Sequence, residues 1–271
     1  KIAPVVTIWC KPYFLFNLHS VPGFRGIDVS FIDATTRTII YSDVLLINAE
    51  KPSCTFQWYY NENFIEACYL QYWETFDIRI YDKLQISMGD VVIDGGASYG
   101  IFTKYALDCG CKKVLSVEPS KSHLFIQKTF DLDDRVIVVN KALADFDGVV
   151  KFYSQANKYT LTSFVNSVGA DEFDVDAITL QSLMDTNGIK VLDILKLDVE
   201  QAEYCIIESC SNEFLSLRIK KMFIDFHNND GVKVKNLIKK LNDCGYSTEI
   251  YAINSNSKLE NLSDSIGYLI A

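Results

Sequence analysis

The fold of this chain is decided by the stretch Val91-Val92-Ile93-Asp94-Gly95-Gly96-Ala97-Ser98-Tyr99-Gly100. A short apolar strand ends at Asp94, and small residues then lead the backbone into a helix. Small residues let the backbone approach a bound ligand closely, and the first turn of a helix has free N–H groups. The glycines lack the spacing of the G-x-G-x-x-G motif that binds a dinucleotide pyrophosphate. We therefore expect this strand-to-helix turn to bind a ligand of another kind.

Strands and helices alternate through the rest of the chain. Apolar runs predict strands at Val91–Asp94, Val114–Glu118, Arg135–Asn140, Asp193–Asp198 and Lys221–His227. Helical stripes are predicted near residues 101–109, 122–130, 201–210 and 234–241. Such alternation predicts a parallel sheet that is covered by helices on both faces.

Two further strands are predicted at the C-terminal end, Tyr246–Ala252 and Ile266–Ile270. A polar loop joins them with no helix between, which predicts an antiparallel hairpin. Together, these patterns predict an α/β fold with a mostly parallel seven-stranded sheet and an antiparallel C-terminal hairpin.

Residues 1–88 lack this alternation and are expected to form a β-rich N-terminal extension of the domain at residues 89–271. Strands are predicted at Arg37–Tyr41 and Val44–Ile47. An apolar stripe over residues 65–76 predicts one amphipathic helix, interpreted as packed on the core, with substrate gating as the alternative.

The segment between the third and fourth predicted strands is unusually long. It contains one predicted strand at Val149–Tyr153 and a polar, irregular stretch at residues 159–169. Because connections at the carboxyl edge of such sheets carry function, we expect an insertion or lid near the substrate.

Acidic residues end the first two predicted strands of the sheet. Asp94 suits a ligand with a positively charged amino group, and the Glu118 carboxylate can accept hydrogen bonds from both hydroxyls of a ribose. Either acid alone could equally be a residue that caps its strand. Their occurrence at the tips of consecutive strands favours a ligand site.

A second polar group follows the fourth and fifth predicted strands. Asp198 and Glu200 could hold substrate hydroxyls, act as a base or bind a divalent cation, and Glu203 could instead complement the helix that follows. His227 is the leading general-base candidate because histidine titrates near neutrality, although it could also satisfy nearby loop carbonyls. Asp198, Asp225 and His227 together could bind a divalent cation, or no metal.

At this point the chain from about Gly89 to Ala271 resembles the FkbM family of methyltransferases. The ordered motifs of that family correspond to Asp94–Gly100, Glu118-Pro119, Ala142-Leu143, Lys196–Glu203 and Asp225–His227. Two positions depart from the pattern: Gln201 stands where the family usually has Gly, and Asp225 where Glu is commoner.

The resemblance implies a Rossmann-like class I methyltransferase fold, with S-adenosylmethionine as methyl donor and O-methylation as the reaction. The implied acceptor is a hydroxyl of a sugar, a glycan or a small metabolite. The implied catalytic residues are His227, Asp198 and Glu200. The implied donor-binding residues are Asp94, Gly95, Gly96, Ala97, Tyr99, Gly100, Glu118, Pro119, Lys141, Ala142 and Asp198.

Composition narrows the class of partner. A formal net charge of −9 disfavours nucleic acid as a substrate, and no apolar run is long enough to predict a membrane span. The 8 cysteines form no C-x-x-C pair, which argues against a zinc ribbon and indicates reduced thiols in a cytoplasmic protein. No signal peptide is predicted. The chain starts at Lys1, which fits a trimmed chain or part of a larger multidomain protein; a homo-oligomer is equally compatible.

Two other classes of function fit parts of this pattern. A non-catalytic, methyltransferase-like binding module is favoured by Gln201 and opposed by the acids at the strand tips. A nicotinamide-dependent oxidoreductase is opposed by the glycine spacing and by the terminal hairpin.

Overall fold

The structure is a computed structural model that describes residues 28–31, 43–48, 55–60, 71–154, 162–163, 171–226, 231–252, 257–258 and 267–271. The strands, in chain order, are β1 (Asp28–Phe31), β2 (Asp43–Asn48), β3 (Thr55–Tyr60), β4 (Val91–Gly95), β5 (Lys113–Val117), β6 (Val136–Val139), β7 (Ala142–Ala144), β8 (Gly148–Ser154), β9 (Thr162–Ser163), β10 (Asp171–Thr179), β11 (Leu192–Leu197), β12 (Ile219–Phe226), β13 (Glu249–Ala252), β14 (Ser257–Lys258) and β15 (Gly267–Ile270). The α-helices are α1 (Ile101–Asp108), α2 (His123–Thr129), α3 (Leu180–Thr186), α4 (Glu203–Ser209), α5 (Asn212–Arg218) and α6 (Gly231–Asp243).

The main sheet has eight strands in the order β14-β13-β15-β12-β11-β4-β5-β6. Strands β12, β11, β4, β5 and β6 run parallel to one another, whereas β15 pairs antiparallel with β12 and β13, and β14 pairs antiparallel with β13. The predicted seven-stranded sheet and its terminal hairpin are therefore confirmed. The two-residue strand β14 extends the sheet by one strand beyond the prediction.

Helices cover both faces of the main sheet, as the alternating pattern predicts. On one face, α1 and α2 pack over Val92, Val114 and Ile194. On the other face, α3, α4, α5 and α6 pack over Ile93 and Leu195. The alternation of side chains along each strand thus divides the apolar residues between two separate cores.

The long segment after β6 forms a second sheet in the order β7-β10-β8-β9. The strand predicted at Val149–Tyr153 is confirmed as part of β8. Strand β10 and helix α3 have no counterpart in the sequence-based prediction. Residues 159–161 and 164–169 of the irregular stretch lie outside the described residues.

The N-terminal part contains an antiparallel sheet in the order β1-β2-β3. The strand predicted at Val44–Ile47 is present within β2, whereas the one predicted at residues 37–41 lies outside the described residues. Within the helix predicted over residues 65–76, the described part includes a short π-helix at Trp73–Asp77.

A 3₁₀ helix at Ile80–Leu84 connects this region to the main sheet. Ile80, Tyr81 and Leu84 are all buried in the core on the α1 face. Lys221 of β12 donates a hydrogen bond from Nζ to the Leu84 carbonyl, at 2.9 Å. A domain boundary at residue 88 stays a prediction, but the 3₁₀ helix shares its core with the main sheet.

Within the described ranges, no helix is both long and apolar enough to cross a membrane. The described cysteines, at 109, 111, 205, 210 and 244, are free thiols.

Candidate functional site

The candidate site lies where strands β4, β5 and β11 end, at one edge of the main sheet. Strand β4 lies between the other two, with Asp94 in register with Ser116 on β5 and with Lys196 on β11. Parallel neighbours end at the same edge, so the motifs at Asp94 and Asp198 meet although they are far apart in the chain.

The loop after β4 is held by backbone hydrogen bonds and has little room for side chains. The N–H groups of Gly96 and Ala97 donate to the Val117 carbonyl at 3.0 and 3.1 Å. Gly96 has a φ of +73°, and a Cβ atom there would lie 1.8 Å from the Asp198 carbonyl oxygen. The Asp198 N–H in turn donates to the Gly95 carbonyl at 3.1 Å. The loop after β4 and the turn after β11 are therefore in direct backbone contact.

The glycines on either side of Gly96 are constrained by different neighbours. A Cβ atom on Gly95 would lie 2.7 Å from Cδ1 of Leu143, which is on strand β7 of the second sheet. Gly100 caps the N-terminus of α1 with a φ of +80°, and a Cβ atom there would lie 2.7 Å from the Phe130 ring. Tyr99 is buried, and its ring centroid lies 5.6 Å from that of Phe125. Tight packing therefore accounts for the glycines at positions 95 and 100.

Glu118 lies directly after β5 and is buried. Its Oε2 accepts a hydrogen bond from the Ser98 N–H at 2.9 Å, and its Oε1 accepts one from the Ser120 N–H at 2.8 Å. Burial raises the pKa of the Glu118 carboxyl above its ordinary value, against the opposing effect of these hydrogen bonds. A carboxylate oxygen has more than one acceptor site, so each can still accept a ligand hydroxyl.

The residues after Glu118 and after β6 are held to each other. The Asn140 side chain donates from Nδ2 to the carbonyls of Glu118 and Pro119, at 3.1 Å each. Lys141 is partly buried and donates its N–H to the Val139 carbonyl at 3.0 Å, and Ala142 is the buried first residue of β7. Asn140 was missed by the sequence reasoning, although its position at the end of a predicted strand was a usable signal.

Asp94 is fully buried and is held by other side chains of the chain. Its Oδ2 accepts a hydrogen bond from Thr103 Oγ1 at 2.7 Å, and Thr103 Oγ1 lies 2.7 Å from Ser116 Oγ. Its Oδ1 lies 3.3 Å from Lys196 Nζ. The contact between Asp94 and a ligand amino group stays a prediction, and the structure places Lys196 and Thr103 against this carboxylate.

Lys196 is a buried lysine in the middle of the parallel sheet. Its Nζ donates to the Gly96 carbonyl at 2.8 Å and lies 3.4 Å from Asp198 Oδ2. Burial alone would lower the pKa of the Lys196 ammonium, but Asp198 and Asp94 together raise it above its ordinary value. The ammonium is therefore charged at neutral pH. The sequence reasoning did not predict Lys196 as a site residue. The feature that could have indicated it is a single lysine within the apolar run Leu195-Lys196-Leu197.

The turn after Asp198 has an uncommon backbone conformation. Glu200 and Gln201 have φ angles of +54° and +83°, in the region that favours glycine. Glu203, the first residue of α4, accepts a hydrogen bond from the Val199 N–H on its Oε1 at 2.9 Å. Glu203 thus stabilises the turn that connects Asp198 to helix α4. A structural role for Glu203 near the start of this helix was the alternative to a role in the site.

The remaining predicted residues are only partly described. Asp225 on β12 is buried, and it lies on the same face of the strand as Phe223, the register partner of Lys196. His227 lies outside the described residues, so the structure does not test it as a base. Among the residues that the structure describes, no group of three or more His, Cys, Asp or Glu side chains could hold a metal ion. The proposed divalent cation is thus without support.

Tyr81 of the 3₁₀ helix packs close to this site and was missed by the sequence reasoning. Its ring centroid lies 4.6 Å from that of Phe102 on α1 and 4.6 Å from that of Phe223 on β12. Burial raises the pKa of the Tyr81 hydroxyl well above its ordinary value, and the negative charges of Asp198 and Asp225 add to this effect. No local sequence pattern links residue 81 to these strands.

Comparison with known proteins gives a family match. Residues 94–248 match the family model described as "Methyltransferase FkbM domain". A search of curated protein sequences found none that matches this chain.

Several solved structures of methyltransferases are similar to this chain at low sequence identity. A precorrin-6y C5,15-methyltransferase from Geobacter metallireducens has a TM-score of 0.42 and 13% identity over 70% of this chain and 83% of its own. Aeropyrum pernix fibrillarin, with natively bound S-adenosyl-L-methionine, has a TM-score of 0.42 and 11% identity over 69% of this chain and 67% of its own. A Thermotoga maritima O-methyltransferase has a TM-score of 0.40 and 13% identity over 85% of this chain and 76% of its own.

Proposed function

This chain belongs to the FkbM methyltransferase family, and we propose that it transfers a methyl group from S-adenosylmethionine to a hydroxyl of a sugar, a glycan or a small metabolite. The observation that carries the proposal is the contact between the loop after β4, with Glu118 at its side, and the turn that bears Asp198. This contact brings a candidate donor site and a candidate proton acceptor together.

The donor side fits S-adenosylmethionine in the chemistry of its groups. The small residues of the loop, Gly95, Gly96, Ala97 and Ser98, bring backbone atoms to the edge of the sheet without bulky side chains. The Glu118 carboxylate, fixed by the amides of Ser98 and Ser120, can accept hydrogen bonds from the hydroxyls of a ribose. A preorganised carboxylate loses little conformational entropy when the ligand binds.

On the acceptor side, we propose that Asp198 holds the substrate hydroxyl. Its side chain is 21% exposed, whereas the Asp94 side chain is fully buried. Bound S-adenosylmethionine supplies an electrophilic methyl group on a sulfonium. The substrate oxygen, oriented by Asp198, would form the new C–O bond as the C–S bond breaks, and its proton would pass to a carboxylate oxygen of Asp198. His227 is the second candidate for this base, proposed from the sequence, and Glu200 is proposed to contact the acceptor.

Donor binding is the first test of this function. Isothermal titration of the purified chain with S-adenosylhomocysteine should give micromolar binding, and NAD⁺ should give none. Glu118→Ala should weaken S-adenosylhomocysteine binding at least about tenfold, because hydrogen bonds to charged groups contribute about 1.5–3 kcal/mol. Glu172→Ala is the matched control, since Glu172 is an exposed glutamate on β10 that pairs with Lys151. A wild-type chain that does not bind S-adenosylhomocysteine would contradict the assignment.

Acceptor chemistry is tested separately, with isotopically labelled S-adenosylmethionine and a panel of sugars, glycans and hydroxylated metabolites. We expect label in an ether methyl group of the product, at a position that mass spectrometry identifies. Asp198→Asn and His227→Ala then compare the two candidate bases at saturating donor. The variant that loses kcat identifies the base, and label on nitrogen or carbon would rule out O-methylation.

A further inference from the structure

Lys196 makes three contacts, which connect the proposed donor site with the proposed acceptor site. Its ammonium lies 3.3 Å from Asp94 Oδ1 and 3.4 Å from Asp198 Oδ2, and it donates to the Gly96 carbonyl at 2.8 Å. Only 4% of its side chain is exposed. Gly96 belongs to the loop expected to approach the donor, and Asp198 is both the proposed acceptor contact and one of the expected donor-binding residues. Lys196 therefore connects both parts of the site with one charged group.

The cost of this arrangement argues that Lys196 does more than stabilise the core. Removing an ammonium and a carboxylate from water costs several kcal/mol per ion, and an apolar pair of the same volume often stabilises a protein as well or better. The neighbours Leu195 and Leu197 are fully buried apolar residues, as expected for the centre of a parallel sheet. A buried lysine at this position thus has a stability cost that a role in the site would explain.

The chain of contacts runs in one direction from the core to the site. Ser116 and Thr103 hold each other, Thr103 donates to Asp94, and Asp94 lies against Lys196. The fully buried end of this chain is Ser116, and the partly exposed end is Asp198. A ligand can reach Asp198, whereas Asp94 acts on the site through Lys196.

We infer that Lys196 is a positioning residue, which Asp94 anchors and which fixes the Asp198 carboxylate and the Gly96 carbonyl relative to each other. This inference rests on the proposed function, because it assumes that donor and acceptor bind at these two groups. The two carboxylates and one ammonium leave a net charge of −1, which favours a ligand with net positive charge such as S-adenosylmethionine. In this arrangement Asp94 acts on the site by anchoring Lys196.

The test measures S-adenosylhomocysteine affinity and unfolding free energy for Lys196→Met. We expect the dissociation constant to rise at least about tenfold, since Lys196 contacts both Gly96 and Asp198 and their effects are coupled. The matched control is Lys104→Met, which removes another buried lysine that pairs with Asp108 along helix α1. Lys104→Met should leave S-adenosylhomocysteine affinity within about twofold of wild type, whatever it does to stability.

A double-mutant cycle with Asp198→Asn separates positioning from simple stabilisation. If Lys196 acts through Asp198, adding Lys196→Met to Asp198→Asn should weaken S-adenosylhomocysteine binding by at most about threefold more. The inference would be overturned if the fold-changes in dissociation constant of the two single variants multiplied in the double variant. It would also be overturned by a Lys196→Met effect combined with an Asp198→Asn variant of unchanged affinity, because Lys196 would then not act through Asp198.

If Lys196→Met does not fold, Asp94→Asn combined with Lys196→Met removes both buried charges and restores folding. That folded double variant should still bind S-adenosylhomocysteine at least about tenfold more weakly than wild type. Wild-type affinity in the double variant would show a structural role alone and overturn the inference. A wild-type chain that fails to bind contradicts the proposed function itself, whereas intact binding that Lys196→Met leaves unchanged contradicts only this inference.

Discussion

Gly96 is the residue at which the site tolerates the least change. Its left-handed backbone and the nearby Asp198 carbonyl exclude a side chain for two separate reasons. Gly188 provides a comparison, because its φ is +66° but nothing lies within 4 Å of the position that a Cβ would occupy. The two glycines thus separate backbone strain from steric exclusion.

The first prediction compares Gly96→Ala with Gly188→Ala in urea unfolding. Gly188→Ala should lower the unfolding free energy by about 1 kcal/mol, the usual energy of a left-handed conformation for an L-residue. Gly96→Ala should lower the unfolding free energy by about 3 kcal/mol or more, because a steric overlap is added to the same backbone strain. Equal losses of unfolding free energy would show that the loop after β4 moves away from Asp198 easily.

Gln201 presents the opposite case, a side chain at a position where the backbone favours glycine. Its φ of +83° agrees with the Gly that the family usually has there. We predict that Gln201→Gly raises the unfolding free energy by about 0.5–1 kcal/mol, as strain relief exceeds the entropy of a more flexible unfolded chain. Gln127→Gly, on an exposed site of helix α2, should instead lower it by about 1 kcal/mol. A lower unfolding free energy in Gln201→Gly would show that the glutamine side chain stabilises the fold by more than its left-handed backbone destabilises it.

Strand β10 was not predicted, although its sequence has the pattern of a strand. Its residues alternate between apolar and acidic, with Phe173, Val175 and Ala177 more buried than Glu172, Asp174 and Asp176. This is the period of two expected for a half-buried strand. Residues 171–179 were not assigned to a strand from the sequence, and the insertion or lid expected between β6 and β11 stays a prediction. Strands β4, β5 and β11 were predictable because parallel strands buried on both faces have continuous apolar sequences.

The 3₁₀ helix at Ile80–Leu84 contributes buried side chains to the core of the main sheet. Leu84→Ala should lower the unfolding free energy by about 2–5 kcal/mol, since a fully buried leucine is lost from a packed core. Leu132→Ala is the control, because Leu132 is 96% exposed and its loss should change stability by less than about 0.5 kcal/mol. Thermal unfolding followed by circular dichroism measures both. Equal midpoints would show that the segment before residue 89 does not belong to the core.

For the whole molecule, stability should depend on pH in the alkaline range. Burial raises the pKa of Cys210 to about 11 and that of Cys111 to about 12, from an ordinary value of 9.0. An acid whose pKa is raised in the folded state stabilises the fold fully below its unfolded pKa, and that contribution is lost as the pH rises through the folded pKa. We therefore predict that the unfolding free energy falls as the pH increases from about 9 to about 12. The same titration in Cys111→Ala should show a smaller fall, and parallel curves would exclude Cys111 as a source.

Long-range contacts set the limit on what the sequence could predict about the site. The strand tips at Asp94, Glu118 and Asp198 were identified because each follows its own apolar run. The partners of Lys196 could not be identified in this way, since they depend on which strands are neighbours in the sheet. Tyr81 depends on packing against Phe223, and no local pattern encodes such a contact.

The contact between Gly96 and the strand that bears Lys196 has a consequence for how the protein reaches its active form. The Lys196–Gly96 hydrogen bond joins residues 100 positions apart, so it forms only after a large loop of chain has closed. Contacts of this sequence separation slow folding and form together with the complete topology. A nascent chain that has not yet reached β11 therefore lacks half of the site. The methyl donor can stabilise the finished domain by mass action, but it cannot act as a template for its assembly.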